Sequence, residues 1–86
     1  MAVAIAVRAR YLARLRELAG LELEVIHLPV GATLGDLYDA ARQKHAALPE
    51  RASVRGAVNL AFADWDARIA DGDEVAFIPP VSGGAS

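Results

Sequence analysis

The segment DGDEVAFIPP, residues 71–80, decides the fold that the sequence predicts. Asp71 and Gly72 are typical of a turn, and the apolar run that follows them, residues 74–78, has the length of a strand. The two prolines end this strand, because proline has no N–H group to donate to a neighbouring strand. The run is one of the two most apolar strands in the chain, so we place it in the middle of a sheet.

The other strongly apolar strand is at residues 3–11, where one set of alternate positions is apolar throughout, as in a strand with one buried face. Leucines at helical spacing follow, and Gly20 stands where a short helix ends. Residues 21–29 predict a second strand, with Glu22 and Glu24 on the face opposite to its apolar side chains. The chain therefore opens as strand, short helix and strand.

The main helix is predicted after Thr33, which suits an N-cap, with Asp36 in the position of a capping box. One face of this helix is lined by Leu34, Leu37, Tyr38, Ala41 and His45. Residues 54–62 then show a period of two and predict one further strand, with alternate positions at Val54, Val58, Leu60 and Phe62. Residues 64–66 predict a turn around a half-buried Trp65.

The order of these elements is strand, short helix, strand, long helix and then two or three strands, with Ile69 in the shortest of them. This order predicts an α+β domain, in which a mixed sheet of four to five strands packs on one main helix, with a short extra helix. Among small folds, the ubiquitin-like β-grasp has this order, and its first and last strands lie side by side in the middle of the sheet. We expect residues 1–80 to form this domain and residues 81–86 to form a flexible C-terminal tail.

The composition excludes several classes of function. The chain has 9 Lys and Arg against 11 Asp and Glu, whereas a general nucleic-acid binder has a basic excess. It has no cysteine, so a disulfide framework, a thiolate metal site and a cysteine nucleophile are excluded. Residues 1–7 are apolar but lack the basic region of a signal peptide and are far shorter than the ~20 residues that span a bilayer. We expect a cytoplasmic domain with no nucleic-acid or membrane partner.

We expect no catalytic residue and no metal site in the folded body. The position of His45, at the end of the main helix, favours a packing or surface role. His27 lies in a strand and has no carboxylate pair near it in the sequence. The basic cluster of Arg8, Arg10, Arg14 and Arg16 is either a solvated face, partly balanced by Glu17, or a docking patch.

One helix covers only one face of the sheet, so the other face has no cover from this chain. Leu12, Phe62 and Ile78 should lie close together if the first, third and last strands are neighbours. They either complete the core or form an exposed patch that binds a partner.

The tail VSGGAS, residues 81–86, has little to bury. It is either a frayed terminus or a thread, since Gly83 and Gly84 lack Cβ and can pass through a channel too narrow for other residues. From Pro80 to Gly84 an extended chain spans roughly 15 Å, at about 3.3–3.6 Å per residue.

Three segments resemble the small subunits of molybdopterin synthase, a family of sulfur-carrier proteins with ubiquitin-like folds. They are RYLARLRELAG at residues 10–20, GATLGDL at residues 31–37 and DGDEVAFIPPVSGG at residues 71–84. The resemblance covers nearly the whole chain in the same order, and the last segment is its most specific part.

The resemblance implies a carrier of activated sulfur that is not an enzyme on its own. In this family a separate adenylating and sulfurating enzyme uses ATP to activate the C-terminal glycine, which then becomes a thiocarboxylate. The tail enters the large catalytic subunit of molybdopterin synthase, where two such sulfurs build the dithiolene. On this sequence Gly84 bears the sulfur, and the threading tail consists of Pro80, Val81, Ser82 and Gly83. No cofactor is bound permanently, and the family implies a heterotetramer of two small and two large subunits.

One departure concerns the last two residues. Ala85 and Ser86 follow the diglycine, whereas active family members end on the second glycine, and a Gly84 carbonyl in a peptide bond cannot be adenylated. Trimming by a processing protease is the interpretation we favour, over an unprocessed or altered chain and an inactive paralogue. The alternative functions are a sulfur carrier for thiamin, cysteine or tRNA thiolation and a ubiquitin-like modifier or interaction domain. The two prolines and the full terminal segment favour molybdopterin over thiamin carriers.

Overall fold

The computed structural model describes residues 4–80 of the 86-residue chain. Its elements, in chain order, are β1 (Ala4–Tyr11), α1 (Arg14–Ala19), β2 (Leu23–Pro29), α2 (Leu34–Lys44), a 3-10 turn (Arg51–Ser53), β3 (Arg55–Val58), β4 (Ala61–Ala63) and β5 (Glu74–Ile78). The predicted threading residues Val81, Ser82, Gly83 and Gly84 lie outside the described residues, as does Val3, so the predictions that concern them stay predictions.

The five strands form one mixed sheet in the order β2-β1-β5-β3-β4. β1 and β5 are parallel neighbours in the middle of the sheet, with Arg8 opposite Glu74 and Tyr11 opposite Phe77. The other neighbouring strands are antiparallel. The predicted ubiquitin-like β-grasp fold is therefore confirmed, including the central position of the first and last strands.

The core lies between the sheet and α2. Alternate side chains of β1 and β5 point into it, and the apolar face of α2 covers them. Its fully buried large side chains are Val7, Tyr11, Leu15, Leu34, Leu37, Tyr38, Leu48, Val75 and Phe77. Tyr38 packs on Phe77 at a ring-centroid distance of 4.9 Å and on the half-buried Trp65 at 5.5 Å. Burial of aromatic and leucine side chains is the main stabilising term in a domain of this size.

The predicted start of α2 and end of α1 are confirmed, whereas α2 itself ends at Lys44, so His45 is its C-cap and not part of its helical face. The Asp36 N–H donates to Thr33 Oγ1 at 3.1 Å, and the Thr33 N–H donates to Asp36 Oδ2 at 3.0 Å, which completes the capping box of α2. Gly20 ends α1 in a left-handed conformation, with φ of 82°. These local signals are strong because each one satisfies a backbone group that has no partner inside the helix.

The single strand predicted over residues 54–62 is wrong. The structure has two strands there, β3 and β4, which form a hairpin around Asn59 and Leu60. Both turn residues have positive φ, 49° and 75°, as in the two-residue turns whose twist matches that of paired strands. Ile69 is buried but lies outside any strand, and the isolated bridge nearby joins Thr33 and Arg68.

We expect the substitution Gly56→Ala to destabilise the fold by about 1–3 kcal/mol, because β3 packs directly against α2. A Cβ at this position would lie 2.7 Å from Leu34 Cδ2, and Leu34 is fully buried and has no space to move into. Chemical denaturation of the variant and the parent chain measures the difference.

Gly35→Ala is the matched control for this prediction. Its added Cβ would lie 2.7 Å from Arg51 Nη2, but that atom is the end of a flexible, partly exposed side chain that can swing away. The ion pair lost with Asp39 is worth roughly 0.2–1 kcal/mol, which the higher helix propensity of alanine offsets. Equal losses for the two variants would contradict the packing argument.

Candidate partner-binding site

The uncovered face of the sheet holds an apolar groove of about 530 Å³. β5 places Ala76 and Ile78 on this face, because its alternate residues point into the core. β3 and β4 extend the apolar row, since Ala57 pairs with Ala76 on one side and with Phe62 on the other. The groove is lined by Leu12, Ala57, Asn59, Leu60, Phe62, Glu74, Ala76 and Ile78.

This groove brings together the three residues that the sequence offered as a partner interface. Leu12 follows β1 and donates its backbone N–H to the carbonyl oxygen of Phe77 at 3.1 Å. Phe62 is 59% exposed, and Leu12 and Ile78 are half-buried. The structure therefore places all three side chains in one exposed patch and not in the core, and partner binding there stays a prediction.

The groove also contains Leu60, which the sequence did not group with these three residues. Leu60 is 100% exposed and, with Phe62, makes up two of the four large exposed apolar side chains among residues 4–80; the others are Val25 and Val30. The alternation of Val58, Leu60 and Phe62 suggested a continuous strand and hid the turn. The signal that could have revealed it is Asn59, because asparagine tolerates a left-handed backbone in turns.

Charged side chains border the groove on the side of β1. Arg10 lies between two carboxylates, with Nε 3.1 Å from Glu74 Oε2 and Nη1 3.2 Å from Glu22 Oε2. Two further arginines approach these carboxylates at a longer distance: Arg8 lies 3.9 Å from Glu74, and Arg16 lies 3.9 Å from Glu22. The charge balance predicted from Glu17 is therefore supplied, within the described part of the chain, by Glu22 and Glu74.

One cation, Arg55, lies beside the groove. The Arg55 guanidinium carbon lies 4.1 Å from the centroid of the Phe62 ring, which is the geometry of a cation–π contact. Arg55 pairs with Ile78 across β3 and β5, so it stands at the end of the groove near the exit of the chain. The Phe62 side chain stays 59% exposed beside this contact.

The opposite face of the sheet contains a polar network that the sequence did not predict. Glu24 points towards α2, and its side chain is only 13% exposed. The Tyr11 hydroxyl donates to Glu24 Oε2 at 2.7 Å, and His45 Nε2 lies 2.6 Å from the same oxygen. Lys44 Nζ lies 3.8 Å from the other oxygen. This network joins β1, β2 and the end of α2, and it gives His45 the packing role that the sequence favoured.

The network shifts the acidity of two of its members. Burial by itself raises the pKa of Glu24, but the hydrogen bonds from Tyr11 and His45 and the charges of His45 and Lys44 outweigh it and hold the pKa below its ordinary value. Burial, and then the hydrogen bond to Glu24, raises the pKa of Tyr11. Tyr11 therefore stays protonated as a donor to Glu24, and Glu24 stays ionised in neutral solution.

The lowered pKa of Glu24 predicts a loss of stability in acid. A carboxylate whose pKa is lower in the folded chain than in the unfolded chain stabilises the fold at pH values above its ordinary pKa of 4.5. This stabilisation is lost as the pH falls through the pKa of the folded chain. We expect the unfolding midpoint of the parent chain to fall faster below about pH 4.5 than that of Glu24→Gln. Thermal unfolding across a pH series measures both curves, and parallel curves would contradict the prediction.

The described part of the chain shows no metal-binding cluster and no membrane-spanning helix. His27 is exposed on β2. Among residues 4–80, no three His, Asp or Glu side chains come together as metal ligands would. In the same part of the chain, neither helix has the length and apolar character needed to span a bilayer.

The strand that lines the groove is also the strand that leads into the tail. β5 ends at Ile78, and Pro79 and the exposed Pro80 follow it at once. A helix-covered sheet, an apolar groove on its other face and a diglycine five and six residues beyond Ile78 define a small ubiquitin-like protein. The chain belongs to the ThiS family, whose model matches residues 9–84.

Similar proteins narrow this assignment. The chain is 40% identical over 62 residues to the molybdopterin synthase sulfur carrier subunit of Mycobacterium tuberculosis, an alignment that covers 71% of this chain and 75% of that protein. It is 32% identical over 80 residues to the protein of the same name in Escherichia coli, with 91% and 99% covered. The structure of SAMP1, small archaeal modifier protein 1, from Haloferax volcanii is similar with a TM-score of 0.82 at 32% identity, covering 92% of this chain and 99% of that one. The resemblance to molybdopterin synthase small subunits is therefore confirmed.

Proposed function

We propose that this protein is the sulfur-carrier subunit of molybdopterin synthase and that its sulfur is carried as a thiocarboxylate on Gly84. The observation on which the proposal rests is the family match, which runs through Gly83 and has its last matched residue at Gly84. The two relatives named as sulfur carrier subunits support the pathway.

The chemistry of the proposal needs a free carboxylate. A carboxylate is a poor acyl donor until one of its oxygens becomes part of a good leaving group. On a partner enzyme, a Gly84 carboxylate oxygen attacks the α-phosphorus of ATP, pyrophosphate leaves, and an acyl-adenylate forms. A sulfide equivalent then replaces AMP and leaves a thiocarboxylate, so ATP serves the partner enzyme and this chain needs no cofactor of its own. Removal of Ala85 and Ser86 by a protease must precede these steps.

The groove is the proposed docking surface for the large catalytic subunit and for the adenylating enzyme. Leu12, Phe62 and Ile78 offer an exposed apolar patch, and burial of such a patch is a major driving force of association. The same strand, β5, leads into the tail, so a protein that covers the groove lies close to the start of the tail. The folded body supplies binding, and the partners supply the catalytic residues.

Reconstitution tests this function. The chain ended at Gly84 is incubated with an adenylating and sulfurating enzyme, ATP and a sulfur donor, and is then mixed with a large subunit of molybdopterin synthase and the dithiolene-free precursor. We expect dithiolene to form in proportion to the thiocarboxylate supplied. Formation of the thiocarboxylate without dithiolene would retain the sulfur carrier and reject the molybdopterin pathway in favour of thiamin, cysteine or tRNA thiolation.

A second candidate function is that of a protein modifier, favoured by the similarity to SAMP1. It would use the same activated Gly84, but the acceptor would be a lysine amine and the product an isopeptide bond. Mass spectrometry of cellular proteins for lysines that bear the C-terminal glycine distinguishes the two functions. Such adducts would support the modifier, and free thiocarboxylate with no adducts would support the carrier.

A further inference from the structure

The turn between β3 and β4 has an unusual combination of features. Leu60 has a φ of 75°, a left-handed conformation that disfavours any residue with a bulky side chain. Its side chain is fully exposed, so the fold gains no burial from it in return. Glycine at this position would remove the strain without loss of a packing contact. The hairpin needs this backbone conformation but gains nothing from the leucine side chain, so a leucine kept at a strained, exposed position points to a function outside the chain.

The turn is held firmly in place by the residue before Leu60. The Asn59 side chain donates from Nδ2 to Asp73 Oδ1 at 3.0 Å and accepts at Oδ1 from the Glu74 N–H, also at 3.0 Å. The Asn59 backbone N–H donates to the carbonyl oxygen of Glu74 at 2.8 Å. Asp73 is itself fixed, since its Oδ2 accepts from the Ala70 N–H at 2.8 Å. The hairpin turn is therefore tied to the start of β5, the strand at the centre of the groove.

We propose that Asn59 is a positioning residue that holds Leu60 as a preformed anchor for the large subunit of molybdopterin synthase. This inference rests on the proposed function, and it concerns how the partner is held and not which sulfur pathway is served. A preformed anchor loses less conformational freedom on binding than a mobile one, which increases affinity without a new contact. The strain at Leu60 and the clamp at Asn59 are explained together in this way.

The occupant follows from the path of the chain. Gly84 is six residues beyond Ile78, which lines the groove, so the two are at most about 22 Å apart at up to about 3.6 Å per residue. A protein that holds Gly84 in its own pocket must therefore lie close to the groove and to Leu60. The groove is apolar except for Asn59 and Glu74, so the partner surface that fits it is apolar.

A double-mutant cycle on binding tests the proposal. Titration of a large subunit with the full chain, and with the chain ended at Gly84, gives the dissociation constant for the parent, Leu60→Ala, Asn59→Gly and the double variant. We expect Leu60→Ala to weaken binding about tenfold or more and Asn59→Gly about threefold to tenfold. If Asn59 acts through Leu60, the double variant binds no more weakly than Leu60→Ala alone.

Further variants separate positioning from folding. Asn59→Asp retains the acceptor for the Glu74 N–H but places a carboxylate against Asp73, so it should weaken binding as Asn59→Gly does. Leu60→Gly should lose affinity while its unfolding midpoint stays equal to or above that of the parent. Val30→Ala removes another exposed apolar side chain, 60% exposed and outside the groove, and should bind as the parent does.

Each result decides between the two proposals. Unchanged binding by Leu60→Ala, or additive losses in the double variant, overturns the role of Asn59 and leaves the proposed function intact. A parent chain that does not bind the large subunit at all overturns both.

Discussion

The chain ended at Gly84 is expected to exchange one carboxyl oxygen for sulfur, whereas the chain with Ala85 and Ser86 attached is expected to remain unchanged. The difference should be close to all or none, because the Gly84 carbonyl of the longer chain is an amide without a carboxylate oxygen, and its terminal carboxylate, on Ser86, is displaced by two residues from the position that Gly84 occupies. Intact mass spectrometry after incubation with an adenylating and sulfurating enzyme, ATP and a sulfur donor measures it as the mass difference between sulfur and oxygen.

A third chain, ended at Gly83, is the matched control for this prediction. It has a free glycine carboxylate and the same folded body, but its reach beyond Pro80 is shorter by one residue, about 3.3–3.6 Å. We expect it to gain little or no sulfur, because the carboxylate no longer reaches the nucleotide. Sulfur on the untrimmed chain, in the absence of any protease, would contradict the assignment of Gly84.

The elements that could be predicted from the sequence are those with local signals. The capping box of Thr33 and Asp36 fixes the start of α2, and the αL residue Gly20 ends α1. The period of two in β1 survives because its buried face, from Ile5 to Tyr11, meets α2 directly. Each of these signals depends on residues a few positions apart, which the sequence displays together.

The parts that could not be predicted depend on residues far apart in the chain. Glu24 lies on the inward side of β2, where a carboxylate is costly unless it is paired, and its partners Tyr11 and His45 lie 13 and 21 positions away. The hairpin turn at Asn59 is stabilised by Asp73 and Glu74, which follow it by 14 and 15 positions. In both segments the sequence alternates between apolar and polar or small residues. Contacts with polar groups far away in the chain determine which side chains of β2 point inward and where the hairpin turns.

The candidate site lies between these two cases. Leu12, Phe62 and Ile78 could be grouped from the order of strands alone, because a β-grasp sheet has one helix and therefore one open face. Leu60 could not, since its full exposure depends on the turn. The chemistry at Gly84 depends on a segment of sequence and on no part of the described structure.

The substitution Phe62→Asp is expected to weaken binding to the large subunit at least about a hundredfold while the chain still folds. Phe62 is 59% exposed, so the fold loses little stability when the ring is removed. Arg55, which lies 4.1 Å from the ring centroid in the parent chain, can pair with the new carboxylate. In the complex the same carboxylate would be buried in an apolar interface, where a poorly paired charge costs several kcal/mol, and each 1.4 kcal/mol is about tenfold in affinity.

Val25→Asp is the matched control for that substitution. Val25 is 48% exposed on the same face of the sheet, but it lies on β2 beside Arg8 and outside the groove. Both variants should show the circular dichroism spectrum of the parent, and only Phe62→Asp should lose binding in a titration with the large subunit. Equal losses for the two variants would show that charge anywhere on this face weakens association, whereas unchanged binding by Phe62→Asp would remove the groove as the docking surface. If Val25→Asp binds and Phe62→Asp does not, the contact lies at β3, β4 and β5, next to the end of β5, which leads into the segment that contains Gly84.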